Sequence, residues 1–451
     1  MDSRLRGNDG CWGCAFFKIG NLIMQTHFSD FQLKDPTIAD ANGILRKCVH
    51  CGFCTATCPT YVLGGDENDS PRGRIYLIKN MLEKGEAATQ ETVKHVDRCL
   101  SCLACMTTCP SGVNYMHLVD HARSHIEQTY QRPLIDRMQR NVLAAIMPRP
   151  RLFRLALIGA KLLSPFKPVI EAFGGKRFAA MLGILPKKLE APMSLGRPGT
   201  YPPITQQKGR VALLRGCVQS VLDPNINAAT IRLLTRLGYE VVVTDNNICC
   251  GSITHHMGKE LPALASAKHL IDQWMQAKVD HIIITTSGCG VTIKDYGHML
   301  RLDPVYASKA KVISAKARDI SEFLAQIEIP QAQMNLRVAY HAPCTLQHGQ
   351  QLKTQAQALL RRVGFDVHEV PEGHLCCGSA GTYNIMQPEI SKQLLARKLA
   401  NINSTAPQII APGNIGCMMQ IGSATETPIV HTIELLDWAL GGPKPEKLSQ
   451  I

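Results

Sequence analysis

The sequence predicts a multi-domain α+β protein, with a helical cysteine-rich domain, a basic helical middle segment and a duplicated α/β domain of parallel-sheet character. Three observations in the 451 residues predict this fold class: two cysteine runs of identical spacing, a stretch rich in Lys and Arg, and a C-terminal pattern that repeats at 127 or 128 residues. The predicted domains are residues 24–120, the basic helical segment and linker 121–209, the first repeat 210–330 and the second repeat 331–445.

Eighteen cysteines in tight clusters are typical of metal ligands in a reducing compartment rather than of a secreted disulfide scaffold. No run of about 20 apolar residues occurs, so we expect no membrane-spanning helix. Residues 1–23 contain a short apolar patch broken by Lys18 and lack a small-residue cleavage site, which argues against a signal peptide. We interpret them as an extension without function and assign no role to Cys11 or Cys14.

The front domain contains two cysteine runs, CVHCGFCTATCP at residues 48–59 and CLSCLACMTTCP at residues 99–110. Both read C-x2-C-x2-C-x3-C-P, the bacterial ferredoxin pattern in which three thiolates hold one 4Fe-4S cluster and the fourth cysteine binds the other. Zinc held by four cysteines is the alternative, but the doubled spacing with its Pro favours iron and sulfur. The crossover predicts one cluster on Cys48, Cys51, Cys54 and Cys109, and a second on Cys99, Cys102, Cys105 and Cys58.

Helical patterns follow each other through the first 190 residues. GRIYLIKNMLEKG is amphipathic and stops at Gly85, and MHLVDHARSHIEQTY and RLFRLALIGAKLL continue beyond the second cysteine run. LGRPGTYPPITQQKG then has the composition of a linker, after which a new domain begins near Arg210.

The middle of the chain is strongly basic. Residues 132–190 contain twelve Lys and Arg against three acidic residues, a local charge of +9 out of +13 for the chain. Such a stretch suits an anionic membrane surface or an acidic partner, and a solvated helical face is the plainer alternative. Nucleic acid is not expected, because apolar runs rather than stacking aromatic residues separate the basic ones.

The C-terminal repeat is marked by two CCGS motifs, at Cys249 and Cys376. In each repeat a cysteine precedes the motif by 32 positions and another follows it by 40 or 41. Strand-like and helix-like segments alternate, which predicts a parallel sheet with the cysteines just beyond the carboxyl ends of its strands. Eight thiols are thus candidates for a further cluster or for redox chemistry: Cys217, Cys249, Cys250, Cys289, Cys344, Cys376, Cys377 and Cys417.

Neighbouring cysteines are not expected to form a disulfide with each other, since adjacent Cα atoms lie only about 3.8 Å apart. Both can turn inward if the following Gly adopts a backbone angle that other residues avoid. Ordinary core packing of small cysteines is the alternative. His255, His256 and His374 flank the motifs, but Asn247 stands where His374 would be matched, so packing or surface roles are expected for them.

With these residues in view, the chain resembles the iron-sulfur subunits of bacterial glycolate dehydrogenase, also called glycolate oxidase. The resemblance covers about residues 24–440 and is carried by CVHCGFCTATCPTY, SPRGRIYLIK, CPSGV, PCTLQHGQ and HLCCGSAGTY. Iron-sulfur subunits of D-lactate and anaerobic glycerol-3-phosphate dehydrogenases are competing assignments, and so is a thiol or quinone reductase module of the heterodisulfide reductase type. Thr286 and Asn414 stand where heterodisulfide reductase relatives have cysteines, which puts a five-cysteine cluster in doubt.

The resemblance implies an electron-transfer subunit with flavin-containing partner subunits, at the inner face of the cytoplasmic membrane and near the quinone pool. The sequence has neither G-x-G-x-x-G after a strand nor a G-x-x-x-x-G-K-S/T motif, so no FAD, NAD or nucleotide triphosphate is expected in this chain. Clusters move single electrons, whereas oxidation of a 2-hydroxy acid removes a hydride equivalent, so a flavin partner must mediate. The chain by itself is not expected to be catalytic.

Overall fold

The computed structural model describes residues 24–166, 188–245 and 249–451, together with 168, 172, 182, 183, 185 and 186. The N-terminal extension with Cys11 and Cys14, most of the basic stretch from 167 to 187, and Asn247 lie outside this part of the chain. The described residues combine a helical front with two mainly parallel sheets.

The front domain is helical, as predicted, and packs around a core of its own in which Leu45, Ile78, Val96, Leu118 and Ile126 are fully buried. Its helices are α1 Pro36–Leu45, α2 Phe53–Ala56, α3 Pro59–Gly64, α4 Pro71–Lys84, α5 Gln90–Asp97, α6 Ala104–Thr108 and α7 Tyr115–Thr129. Short 3-10 turns lie at Gln32–Lys34 and Glu67–Asp69.

Helix α4 shows why these segments begin and end where they do. The Ser70 hydroxyl accepts a hydrogen bond from the Gly73 amide, and Pro71 occupies the first helical position, where its missing N–H costs nothing. Gly85 ends the helix with φ +65°, a left-handed conformation that glycine adopts without strain. The predicted stop at Gly85 is confirmed.

The basic segment forms α8 Leu134–Ile146 and α9 Pro150–Leu163, followed by a 3-10 turn at Ser164–Phe166. Among the described residues no helix combines the length and the apolar character needed to cross a bilayer. Part of the local charge is not on the surface, because Arg132 and Arg140 turn inward to the carboxylate of Asp97, at 2.7 and 2.8 Å. The charge that faces solvent is therefore smaller than the sequence total of +9.

The first repeat is built on a sheet of order β1-β3-β2-β4-β5, where β2, β3, β4 and β5 are parallel. The strands are β1 Gly199–Tyr201, β2 Gly209–Leu213, β3 Tyr239–Val243, β4 His281–Ile284 and β5 Ala317–Asp319. The helices are α10 Gln219–Leu222, α11 Asn225–Arg236, α12 Ser252–His256, α13 Glu260–Ala277, α14 Ser287–Lys294, α15 Tyr296–Met299, α16 Ala307–Lys316 and α17 Ile320–Leu324.

The second repeat has the same central topology in a parallel sheet of order β7-β6-β8. Its strands are β6 Arg337–His341, β7 Asp366–Glu369 and β8 Ile409–Pro412. Its helices are α18 Gln355–Arg362, α19 Tyr383–Met386, α20 Pro388–Asn403, α21 Ile415–Gly422 and α22 Thr432–Ala439, with a π-helical turn at Thr345–Gly349 and a 3-10 turn at Glu446–Leu448. The parallel-sheet prediction is confirmed in both repeats.

Two details differ from the sequence prediction. The stretch interpreted as a linker contains β1, which pairs antiparallel with the edge strand β3, because Thr200 and Tyr201 favour extended backbone and cover an open edge. The short strand β5 is also absent from the sequence prediction, because its three residues are too few to show a periodic pattern. One hydrophobic core joins the repeats, with Val211 of β2 and Val338 of β6 both fully buried in it.

Candidate functional site

The two cysteine runs fold into loops of the same shape. His50 and Gly52 in the first loop have φ +53° and +82°, and Ser101 and Leu103, at the matching places of the second, have +49° and +64°. These left-handed residues curl the backbone, and Gly52 and Leu103 then precede the short helices α2 and α6. Left-handed backbone is costly for a leucine. Because the same left-handed conformations recur at matched positions of the two loops, the surrounding structure must impose this loop shape.

The first run forms a cavity, which we call site 1, together with the last cysteine of the second run. Its lining includes Cys48, Cys51, Cys54 and Cys109. Burial raises the pKa of Cys54 to about 11 and also raises that of Cys48. Cys51 is exposed, so site 1 reaches the protein surface.

The second run forms site 2, a cavity lined by Cys99, Cys102 and Cys105 with Cys58 from the first run. All four cysteines are buried. The grouping in sites 1 and 2 is the one that the crossover pattern predicts, while the binding of metal by these thiols remains a prediction.

A buried cation lies beside site 2. Arg74 is only 1% exposed, and its Nη1 lies 3.8 Å from the Sγ of Cys58. Its other nitrogens donate to the Thr60 hydroxyl at 3.0 Å and to the His95 carbonyl at 2.7 Å, and Asp69 provides a carboxylate at 3.4 Å. A fully buried guanidinium is stable only with such partners, so this arrangement fixes one positive charge next to a thiol of site 2.

The eight cysteines of the repeats line a single cavity, which we call the thiol cleft and which residues of both repeats and of the front domain enclose. Each lies just past the carboxyl end of a strand, where sites of parallel α/β sheets occur. The Sγ atoms of Cys344 and Cys376 are 3.8 Å apart, which is contact distance for two thiols. The structure thus brings together every candidate cysteine of the repeats.

Glycine explains how adjacent cysteines can both face the thiol cleft. Gly251 and Gly378 follow the two Cys-Cys pairs with φ +85° and +90°. A Cβ atom would lie 2.7 Å from the carbonyl oxygen of Ala263 at the first, and 2.6 Å from that of Ser391 at the second. Only glycine fits both the backbone angle and the close approach, which confirms the role predicted for the residue after each pair.

Thr286 and Asn414 stand where heterodisulfide reductase relatives have cysteines, and both line the thiol cleft, where they form hydrogen bonds with neighbouring residues. Thr286 donates a hydrogen bond to the Gln219 side chain at 2.6 Å, and Asn414 donates one to the Ser287 hydroxyl at 3.1 Å. Asn414 also accepts one from the Gly416 amide at 3.0 Å and so caps α21. Both side chains are therefore occupied with structural contacts.

The flanking histidines lie in different surroundings. His255 and His256 face Asp120 of α7, at 3.2 and 3.7 Å, so they join the first repeat to the front domain. His256 also lines the thiol cleft. The carbonyl oxygen of His374 accepts a hydrogen bond from the His348 ring at 3.1 Å, and no contact of the His374 ring with a thiol is found in the described part of the chain.

Sequence reasoning missed two buried residues of the second repeat. A ring nitrogen of His341 and the Sγ atoms of Cys377 and Cys417 all lie within 4.8 Å of one another. Lys398 is 2% exposed and donates to the carbonyl oxygen of Glu372 at 2.9 Å, and its charge acts on the thiols of the second repeat. The repeat offset could have drawn attention to both, because the first repeat has Leu214 and Ile271 at these places.

The three thiol sites adjoin one another. Cys105 lines both site 1 and site 2, and Cys99 lines both site 2 and the thiol cleft. Cys102 of site 2 packs in one apolar cluster with Cys344 and Cys376. A hydrogen bond of 2.8 Å between Thr107 and the His348 ring joins the front domain to the second repeat nearby.

The donor set fits iron-sulfur clusters, because clustered soft thiolates select such clusters and zinc over hard metal ions. Burial raises the pKa of Cys102 and Cys105 well above the usual thiol range, so these thiols are protonated and unreactive unless a metal displaces their protons. Burial therefore disfavours a free, reactive thiolate at these two positions.

Comparisons with known proteins agree with this geometry. Residues 47–113 match the 4Fe-4S dicluster domain family, and residues 211–294 and 338–422 match the cysteine-rich domain family twice. The glycolate oxidase iron-sulfur subunit of Escherichia coli (strain K12) is 42% identical over 92% of this chain and 99% of its own length. The probable glycolate oxidase iron-sulfur subunit of Bacillus subtilis (strain 168) is 31% identical over 88% of this chain and 95% of its own length.

More distant similarities cover less or show the fold alone. Lactate utilization protein A of Bacillus subtilis (strain 168) is 26% identical over 51% of this chain and 99% of its own length. A crystal structure of a hypothetical protein from Helicobacter pylori superposes with a TM-score of 0.53 at 10% identity, and covers 92% of this chain and 74% of that one.

Proposed function

The chain belongs to the family of glycolate oxidase iron-sulfur subunits, and from that premise we propose that it carries electrons from a flavin-containing glycolate dehydrogenase subunit towards the quinone pool. The observation that carries this proposal is the unbroken series of thiol sites from the surface at Cys51 through site 2 to the thiol cleft. When bound, 4Fe-4S clusters supply one-electron acceptor and donor states. The partner's flavin would remove the hydride equivalent from glycolate.

Site 1 is the proposed point at which the flavin partner docks. Cys51 is the exposed member among the described cysteines, and Phe53 beside it is 62% exposed. Tyr76, on the helix α4 that also lines site 1, is 54% exposed. Large exposed aromatic residues next to a redox site are typical of a surface that a partner protein covers.

Metal and sulfide content test the ligand sets. Anaerobically purified protein should contain about eight iron and eight sulfide from sites 1 and 2, because each 4Fe-4S cluster supplies four of each. Cys54→Ser and Cys105→Ser should each remove or convert one cluster and slow electron transfer from the partner complex, whereas Cys11→Ser should change neither. Stoichiometric zinc without sulfide would contradict the proposal.

The thiol cleft is proposed to hold a further metal centre rather than reactive thiols. All eight cysteines line this one cavity, and the Sγ atoms of Cys344 and Cys376 lie 3.8 Å apart, so several soft sulfur donors converge on the same space. Alkylation of the reduced protein, with iron measured in parallel, distinguishes a metal centre from reactive thiols. We expect the eight thiols to be protected until a chelator removes iron; rapid alkylation with iron retained would favour a thiol or quinone reductase module instead.

Glycolate is the proposed substrate of the complex, since both full-length relatives carry that word in their names. Partners co-purified with the tagged chain should reduce an artificial acceptor faster with glycolate than with D-lactate or glycerol 3-phosphate. A preference for either alternative would reassign the subunit without changing its electron-transfer role.

The basic segment is proposed to dock the complex on the inner, anionic face of the cytoplasmic membrane. Helix α9 has no buried residue, and Leu155 and Leu162 are 65% and 73% exposed. Exposed cations on this segment include Arg137 and Arg151. Exposed apolar side chains beside positive charge suit an amphipathic helix that lies in a membrane interface.

A vesicle assay tests this docking. Each Lys or Arg near an anionic surface contributes about 1 kcal/mol, so replacing Arg137 and Arg151 by Gln should weaken sedimentation with anionic vesicles by about 30-fold. Arg149 and Arg154 are poorer targets because they donate to backbone carbonyl groups. Exposed Arg337→Gln in the second repeat is a matched control. Equal, salt-insensitive binding of all variants would reject membrane docking.

A further inference from the structure

The two repeats share a fold but differ at the base of their thiol sites. His341 ends the central strand β6 three residues before Cys344, and Leu214 follows the central strand β2 three residues before Cys217. The offset of 127 that relates the cysteines also relates these two positions. Leu214 is buried in an apolar cluster of the first repeat. One repeat therefore places an imidazole where the other places an isobutyl group.

The buried ring of His341 lacks the partners that such a group needs. The residue is 2% exposed, and both ring nitrogens are buried without a hydrogen bond, a combination shown by no other histidine in the described chain. The comparably buried His431, by contrast, bonds the Thr285 carbonyl with one nitrogen and accepts from the Ile433 amide with the other. Leaving a buried polar group unpaired costs about 1–3 kcal/mol, so the missing partner of His341 calls for an explanation.

The topology directs this ring towards two of the thiols. Strand β6 lies between β7 and β8, so the loop with Cys377 passes on one side of His341 and the start of α21 with Cys417 on the other. A ring nitrogen and the two Sγ atoms all lie within 4.8 Å of one another. Two thiolates and an imidazole at this spacing are donors to iron and zinc, which prefer sulfur and nitrogen ligands.

We propose that His341 is a nitrogen ligand of a metal centre in the second repeat, alongside Cys377 and Cys417, and that the first repeat has no such ligand. This proposal rests on the proposed metal centre of the thiol cleft. The ligand class is a thiophilic metal, either iron within a cluster or zinc. A neutral nitrogen donor present in the second repeat alone would make the ligand sets of the two repeats unequal, although both have four cysteines.

The test uses full-length protein, purified anaerobically with its native metals and labelled with ¹⁵N-histidine. Nitrogen hyperfine spectroscopy of the reduced protein detects a histidine bound to iron, and zinc-edge X-ray absorption detects one bound to zinc. We expect a nitrogen donor in one of the two measurements, its loss in His341→Leu and its retention in His374→Gln. Leucine is the residue of the first repeat at this place, so His341→Leu should keep the fold and the signals of sites 1 and 2.

Metal retention provides a second measurement. Loss of a ligand should accelerate removal of the second repeat's metal by a chelator by at least about tenfold in His341→Leu and leave His374→Gln at the parent rate. Cys417→Ser shows whether the second repeat holds metal at all. Metal that depends on Cys417 but shows no histidine nitrogen would overturn the role of His341 alone. Metal content unchanged by Cys417→Ser would overturn the proposed centre itself, and the role of His341 with it.

Discussion

Replacing Arg74 by Gln should lower the reduction potential of the cluster proposed for site 2. The guanidinium is buried, and its Nη1 lies 3.8 Å from the Sγ of Cys58. A fixed positive charge favours the state with one more electron, so its removal makes reduction harder. Gln keeps a hydrogen-bonding side chain for the neighbouring Thr60 hydroxyl and His95 carbonyl group but not the charge.

The size of the shift follows from Coulomb's law. The added electron spreads over a cluster that lies beyond the sulfur, so we take roughly 8 Å as the separation between the guanidinium charge and the electron, about twice the contact distance. At an effective dielectric constant of about 20, this separation gives an interaction energy of roughly 2 kcal/mol. For a one-electron couple this equals roughly 90 mV, and a doubled dielectric constant leaves roughly 45 mV. We therefore expect a fall of about 45–90 mV.

The assay is an anaerobic redox titration followed by electron paramagnetic resonance, which separates the signals of the two clusters. Arg74→Lys keeps the charge and should shift the potential by less than about 30 mV, and Arg137→Gln removes an exposed charge on α8 and should shift it hardly at all. Iron and sulfide content must match the parent protein. An unchanged or raised potential in Arg74→Gln, with cluster content intact, would refute the electrostatic role of this residue.

Two further predictions concern the contact between the front domain and the first repeat. Gly258→Ala should lower the free energy of unfolding in urea by about 1–3 kcal/mol, because Gly258 has φ +80° and a Cβ atom there would clash with the Arg123 carbonyl oxygen. The control Gly159→Ala, on an open helical face, should be neutral or stabilising. His255→Gln should reduce the loss of stability above pH 6.5. Burial lowers the pKa of His255, but the charge of Asp120 outweighs burial, so the net pKa is raised. The ion pair therefore stabilises the fold below pH 6.5, and this stabilisation is lost as the pH rises through the folded pKa. This pair also feels the charges of His256, Asp295 and Glu260. The test is therefore the difference in the free energy of unfolding between parent and variant, measured across pH 6–9. Parallel curves for the two proteins would contradict a stabilising ion pair between His255 and Asp120.

The sequence predicts the sites that depend on local spacing. The C-x2-C-x2-C pattern prescribes a loop whose thiols must converge, and sites 1 and 2 combine the residues that the crossover pattern assigns to them. The repeat offset likewise indicates strands β2, β3, β4 and β6, β7, β8, because parallel strands flanked by helices leave a strong alternating pattern. The extension 1–23 and its cysteines lie outside the described residues and stay a prediction.

The spacing of residues in the sequence does not identify those whose role depends on their burial in the folded protein. Arg74 lies in a helix whose sequence gives it the appearance of a surface cation, and only the packing of Thr60, Asp69 and His95 around it shows otherwise. Arg132 and Arg140 are counted as surface charge in the sequence, yet Asp97 holds both inside. Long-range ion pairs of this kind leave no periodic signal, so charge counts alone overstate a basic surface.

The asymmetry of the repeats bears on how electrons would reach the thiol cleft. Cys102 of site 2 packs with Cys344 and Cys376, both from the second repeat, while the first repeat meets the front domain through the ion pair of His255 with Asp120. The second repeat is therefore the one that adjoins site 2. It is also the repeat that contains the buried Lys398, whose positive charge acts on its thiols. A centre with less negative surroundings accepts an electron more readily, so a centre bound in the half of the cleft that adjoins site 2 would be the one whose neighbouring residues favour its reduction.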